Sequence, residues 1–119
     1  METTPRHRSL VLLFVLFVAS ALGICAQTTK PVLAVLNKAD ATLVFIDPVS
    51  MKITGRVPTG DGPHEVVFSA DGKTAFVSNY GAQTPGSSLS VIDVASAKET
   101  RRVDLSPLMR PHGLHVIGG

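Results

Sequence analysis

Apolar residues fall into two kinds of run along this chain. Residues 9–26 (SLVLLFVLFVASALGICA) form one uncharged block, whereas beyond it the apolar residues come in short β-branched stretches separated by Gly, Pro, Asp and Ser. Runs of that length, bounded by turn residues, predict strands. We expect them at 32–36, 43–46, 52–57, 65–69, 74–78, 89–92, 98–104 and 112–117. Asp71-Gly72 lies between two such runs and is the strongest hairpin signal in the chain, read as a two-residue type I′ turn with positive φ at both central positions. Pro48, Pro58, Pro63, Pro85, Pro107 and Pro111 are spaced too closely to leave room for long helices.

The strand pattern repeats. Residues 33–37 (LAVLN) correspond to 75–79 (AFVSN), forty-two positions on, and 43–47 (LVFID) to 89–93 (LSVID), forty-six on. Ser50, Lys52, Thr54, Arg56 and Val57 match Ser96, Lys98, Thr100, Arg102 and Val103 at the same forty-six, and Pro63-His64 matches Pro111-His112 at forty-eight. The growing offset places one insertion, of four residues, in 80–88, read as a Gly/Pro/Ser-rich loop, and a smaller one, of two, in 105–110. Four short strands in a unit of about 42 to 48 residues is the arithmetic of a propeller blade.

In the order strand, Val-Ile-Asp, strand, Gly-x-x-Pro, strand, Asp-Gly, strand ending in Asn, the sequence resembles the YVTN-type β-propeller repeat. The pattern is carried by 43–47, Gly60-Asp61-Gly62-Pro63, 66–69, Asp71-Gly72-Lys73 and 75–79, and it covers about residues 32–117. The resemblance implies an all-β chain of propeller blades, each of four antiparallel strands, with about two blades present out of a larger ring. It makes 65–69 and 112–117 the innermost strands and 98–104 an outermost one, with repeat units at about 32–73 and 74–119. Blades of this kind bury their apolar faces only against neighbours, so the expected partners are further blades, from the same full-length chain or by self-assembly. Resembling propellers include scaffolds that bind a ligand or protein, and also lactonase-type hydrolases and periplasmic redox proteins that hold a haem or quinone. The function expected is a binding scaffold, with an enzyme whose site sits at the channel mouth as the alternative.

The long apolar block changes the picture of location. Arg6, His7 and Arg8 precede it and Ala19, Ser20, Ala21, Gly23 and Ala26 follow its most apolar part, which is the order of a secretory signal. Residues 1–26 are therefore read as a signal peptide and 27–119 as the exported domain, periplasmic or extracellular. An uncleaved anchor is the competing reading, since the block approaches the roughly 20 residues that span a bilayer. Cys25 is the chain's single cysteine, so the exported part has no disulfide, and Ile24 before it makes a poor lipoprotein box. A membrane partner is expected only if the leader is retained or Cys25 is lipidated.

Without the leader the charges nearly balance, with nine Lys/Arg against eight Asp/Glu, so the basic character of the whole 119-residue chain belongs mainly to Arg6 and Arg8. Nothing there calls for a nucleic-acid partner. Asp47, Asp71, Gly72 and Asp93 end strands or open turns and are read as turn-building residues. His64 and His112 each follow a proline at the entrance to an inner strand, where imidazoles from several blades can point to the channel mouth and hold a metal or exchange protons. They are the metal candidates, and Glu65, Tyr80 and His115 are the binding candidates. In an extended strand His112 and His115 point to opposite faces. No catalytic set is assigned: the nucleophile motif Gly-x-Ser-x-Gly, a haem-attachment Cys-x-x-Cys-His and a phosphate loop after Gly60-Asp61-Gly62 are all missing from the sequence. This segment implies no cofactor.

Overall fold

The computed structural model describes residues 30–117, so the leader assigned to residues 1–26 lies outside the described residues. The described residues form seven strands: β1 (Leu33–Asn37), β2 (Thr42–Ile46), β3 (Ile53–Pro58), β4 (Pro63–Phe68), β5 (Thr74–Gly81), β6 (Pro85–Asp93) and β7 (Lys98–Asp104). They make two antiparallel sheets, one of order β1-β2-β3 and one of order β4-β5-β6-β7.

Alternation along the strands decides how the sheets meet. In the first sheet Leu43 lies opposite Leu36 and Val57, while Phe45 lies opposite Ala34 and Gly55. These residues share one face, because side chains two apart in a strand point the same way. In the second sheet Ala75 opposes Phe68 and Ile92, and Val77 opposes Val66 and Ser90. The two faces stack, and Leu43, Phe45, Val57, Ala75, Val77 and Ile92 are buried between them. Gly55 permits a close approach: a Cβ added there would stand 2.6 Å from the Cβ of Ala97 in the β6–β7 turn of the second sheet.

A polar knot closes one end of this core. Asn79 is 1% exposed, and its Oδ1 accepts the Gly60 N–H at 3.0 Å. Its Nδ2 donates to the hydroxyls of Ser88 and Ser90, each at 3.0 Å. Gly60 belongs to the crossover from β3 to β4, so one side chain ties the second sheet to the segment that enters it. Among the described residues no buried side-chain nitrogen or oxygen lacks a partner, as buried polar groups require.

The outer hairpins are built twice in the same way. Asp47 Oδ1 accepts the N–H groups of Val49 and Ser50 at 2.8 and 3.1 Å, and Asp93 Oδ1 accepts the Ser96 N–H at 2.7 Å and its hydroxyl at 2.6 Å. Each turn ends on a left-handed residue, Met51 at φ 56° and Ala97 at φ 50°, forty-six positions apart like the sequence repeat.

Three expectations are corrected. The Asp71-Gly72 hairpin exists but is not a type I′ turn, because only Gly72 has positive φ, at 69°. Gly72 N–H instead donates to the Ser69 carbonyl at 2.8 Å and Ser69 N–H to the Thr74 carbonyl at 2.9 Å, a wider turn in which Asp71 Oδ1 accepts from the Ser69 hydroxyl and the Lys73 N–H. Stretch 80–88 is mostly strand: Gly81 pairs with Pro85, which lengthens the β5–β6 hairpin until only residues 82–84 remain between the strands. Finally, 112–117 forms no strand. Its β-branched composition is overridden because no described strand runs beside it to supply ladder hydrogen bonds.

Candidate functional site

Chain direction fixes which residues meet. β1 and β5 run toward the same end of the stack as the β3–β4 crossover, so the residue after β1, the C-terminal part of β5 and the first residues of β4 reach one rim. Lys38, Tyr80 and His64 occupy those places. The segment after β7 returns to this rim, where the Arg110 N–H donates to the Gly86 carbonyl at 2.7 Å. Tyr80 is anchored by its own N–H, which donates to the Gly62 carbonyl at 3.2 Å.

The side chains form a cluster around the Tyr80 ring. Its centroid lies 4.9 Å from that of His64 and 6.1 Å from that of His112, and the two imidazoles are 6.0 Å apart. Arg110 lies over the ring with its guanidinium carbon 4.9 Å from the centroid, and the Lys38 ammonium is 5.3 Å away, both within cation–π range. His64 and His112 are exposed while Tyr80 is half-buried, so the imidazoles are open to solvent beside a partly sheltered ring.

Glu65 does a different job. Its Oε2 accepts the Leu114 N–H at 2.8 Å, and its Oε1 stands 4.0 Å from His64 Nδ1. The carboxyl is held below its ordinary range first by the Leu114 N–H, with the Gly113 N–H and the neighbouring His112 and His64 adding to the effect against a desolvation that raises it. Glu65 thus straps segment 112–117 to β4 in place of a strand ladder.

His115 is not part of the cluster. It lines a groove of about 280 Å³ with Leu114 and Val116 on one side and Val67, Phe76 and Leu89, on the far face of the second sheet, on the other. His112 and His115 therefore serve different surfaces. Among the described residues no group of three or more His, Cys, Asp or Glu side chains converges on one point, and His64 with His112 supplies two imidazoles where a closed zinc site takes four ligands.

Asp47, Asp71 and Asp93 lie in the turns at the other rim, and hydrogen bonds from their own turns depress each carboxyl. For Asp47 the largest cause is the Ser50 N–H, for Asp71 the Ser69 hydroxyl and for Asp93 the Ser96 hydroxyl. Lys38 and Arg110 carry no sequence signal that marks them for this site. The Pro-His repeat marks His64 and His112, but no local pattern joins residues from the β1–β2 turn and the post-β7 segment to Tyr80.

Two face-stacked antiparallel sheets, one of four strands in simple sequential order and one of three, define partial blades of a β-propeller. No protein-family model matches the chain, and no curated protein does. Among solved structures it is similar to hydrazine synthase of Kuenenia stuttgartiensis, a β-propeller-containing protein, with a TM-score of 0.57 and 25% identity over 63% of this chain and 21% of that one. The match thus spans about a fifth of that protein's length.

Proposed function

We propose that the chain is an exported β-propeller binding module, of the YVTN repeat type, that engages a ligand or protein through the rim bearing His64, Tyr80 and His112. Further blades, from a longer chain or from other copies, complete the stack on the apolar faces. The observation that carries this reading is the convergence of side chains from the β1–β2 turn, β4, β5 and the post-β7 segment on one half-buried ring. Loops on a rigid scaffold are where such folds place recognition. Engagement of Glu65 by the Leu114 N–H favours binding over acid–base chemistry at this rim, because the one carboxylate beside the imidazoles already has a structural partner. Export rests on the leader-like order of residues 6–26.

The test is amide chemical-shift mapping of the 15N-labelled chain against a mixed set of small aromatic, sugar and amino-acid probes. Shifts grouped on Lys38, His64, Tyr80, Arg110 and His112 are expected. Shifts confined to the turns of Asp47 and Asp93, or to the Val67–Phe76–Leu89 groove, would remove this rim as the binding face.

A further inference from the structure

We propose that this rim is selective for a small organic oxyanion, a carboxylate or a phosphate group carried on a flat apolar body, with Lys38 and Arg110 gripping the anion beside the Tyr80 ring. The inference rests on the reading of the rim as the binding face. It adds the chemical class of what is bound.

Three observations support it. First, Lys38 and Arg110 come from opposite ends of the described chain to one aromatic ring, and the ion pairs among the described residues are His64–Glu65 and Arg102–Glu99, which include neither. From their distances of 5.3 and 4.9 Å to the shared centroid the two cations stand at most about 10 Å apart, comparable to the Debye length at 0.1 M salt. They repel one another there, and a bound anion offsets that repulsion.

Second, the groups nearest the ring are donors. The ammonium supplies three N–H groups, the guanidinium a planar fork suited to carboxylate or phosphate, and each imidazole at least one. Three of the rim's acids are engaged by hydrogen bonds, Glu65 Oε2 by the Leu114 N–H, Asp61 Oδ2 by the Ala82 N–H at 3.3 Å and Asp104 Oδ1 by the Ser106 N–H and hydroxyl, and the fourth, Asp40, is an exposed residue of the β1–β2 turn. Third, His64 is exposed and stacks on Tyr80 with their centroids 4.9 Å apart and a 32° tilt, so a solvent-facing ring held on a fixed partner stands beside the cations where the flat body of a ligand can pack.

The experiment titrates the full 119-residue chain with inorganic phosphate, benzoate and the neutral isostere benzamide, following amide and imidazole shifts by NMR. The same titrations are run on a Lys38→Ala/Arg110→Ala double variant whose circular dichroism and unfolding midpoint match the parent. Saturable shifts at the rim with benzoate or with phosphate are expected, and the stronger of the two identifies the source of the anion. The double variant should weaken binding by at least about tenfold, and added salt should weaken it further. Benzamide binding as tightly as benzoate at the rim would overturn the anion inference while leaving the rim as a binding face. Rim shifts with benzoate or phosphate that persist unchanged in the double variant would overturn it as well. If no anion moves the rim while a neutral probe from the mixed set does, the anion inference fails alone; if nothing moves the rim, both readings fail.

Discussion

Replacing Gly55 by alanine probes the stacking of the two sheets directly. The new Cβ would meet the Ala97 Cβ at 2.6 Å and Phe45 Cδ2 at 3.3 Å, whereas carbon atoms pack best at about 3.5–4.0 Å. Phe45 can give way by a small rotation. The Ala97 Cβ has no rotamer to change, so the sheets themselves must part by about 1 Å. Two effects compete. Alanine in place of glycine in a strand gains roughly 0.5–1 kcal/mol from chain entropy, and overpacking costs typically about 1–3 kcal/mol. Overpacking wins here because the obstacle is fixed to the backbone, and Gly55→Ala is expected to lose about 1–2 kcal/mol. In a domain of this size that is a fall in Tm of roughly 4–8 °C for each kcal/mol. The partner change has the opposite sign. Ala97 holds φ 50°, a conformation that glycine adopts freely, so Ala97→Gly should be neutral or mildly stabilising. Once the Ala97 methyl is gone, the methyl introduced at position 55 has room, and the Gly55→Ala/Ala97→Gly double variant should be at least as stable as the parent. Thermal and urea unfolding of the four proteins, followed by circular dichroism, gives the coupling energy. Simple additivity within about 0.5 kcal/mol would refute the face-to-face arrangement.

Two further outcomes follow from the polar groups. Asn79→Ala strips the buried Gly60 N–H and the Ser88 and Ser90 hydroxyls of their partner, and should cost about 2–4 kcal/mol in urea unfolding, given roughly 1–3 kcal/mol per unsatisfied buried group; a loss below about 1 kcal/mol would mean the knot is wet and relaxed. The carboxyls of Asp47, Glu65, Asp71, Asp93 and Asp104 are all held below their ordinary values of 3.8 for Asp and 4.5 for Glu. Their contribution is therefore fully present above about pH 5 and lost as pH falls through the depressed values. The urea midpoint should drop between about pH 5 and pH 3, and Asp93→Asn should flatten that drop; a midpoint that rises on acidification would reverse the sign of the linkage.

Much of the fold is legible in the sequence because it is written in short-range pattern. Seven of the eight expected strands form, and the forty-six-residue offset that aligns Asp47 with Asp93 reappears in backbone geometry at Met51 and Ala97. What is not legible depends on neighbours that local pattern does not encode. Residues 112–117 have strand composition, yet a strand exists only where a second one supplies its ladder, and Glu65 provides a single hydrogen bond instead. The matching asparagines Asn37 and Asn79 stand at equivalent places in their strands but behave differently. Asn37 donates to the nearby Thr42 hydroxyl, whereas Asn79 reaches the β3–β4 crossover. At the rim the Pro-His repeat announces the imidazoles, but Lys38 and Arg110 join Tyr80 only through chain topology.

The contrast between the two rims bears on how such a chain can be altered. Where Asp47 and Asp93 sit, each turn combines a carboxylate accepting from its own loop with a left-handed residue, so a change of loop length, or a β-branched residue or proline in place of Met51 or Ala97, disturbs the turn immediately. At the opposite rim β5 and β6 are joined by residues 82–84 alone, all exposed and close in sequence to Tyr80. Insertions or randomised residues at that link would alter what the rim meets without entering the core. One end of the scaffold is thus a frame that tolerates little drift, and the other is a graft position where specificity can be rewritten independently of stability.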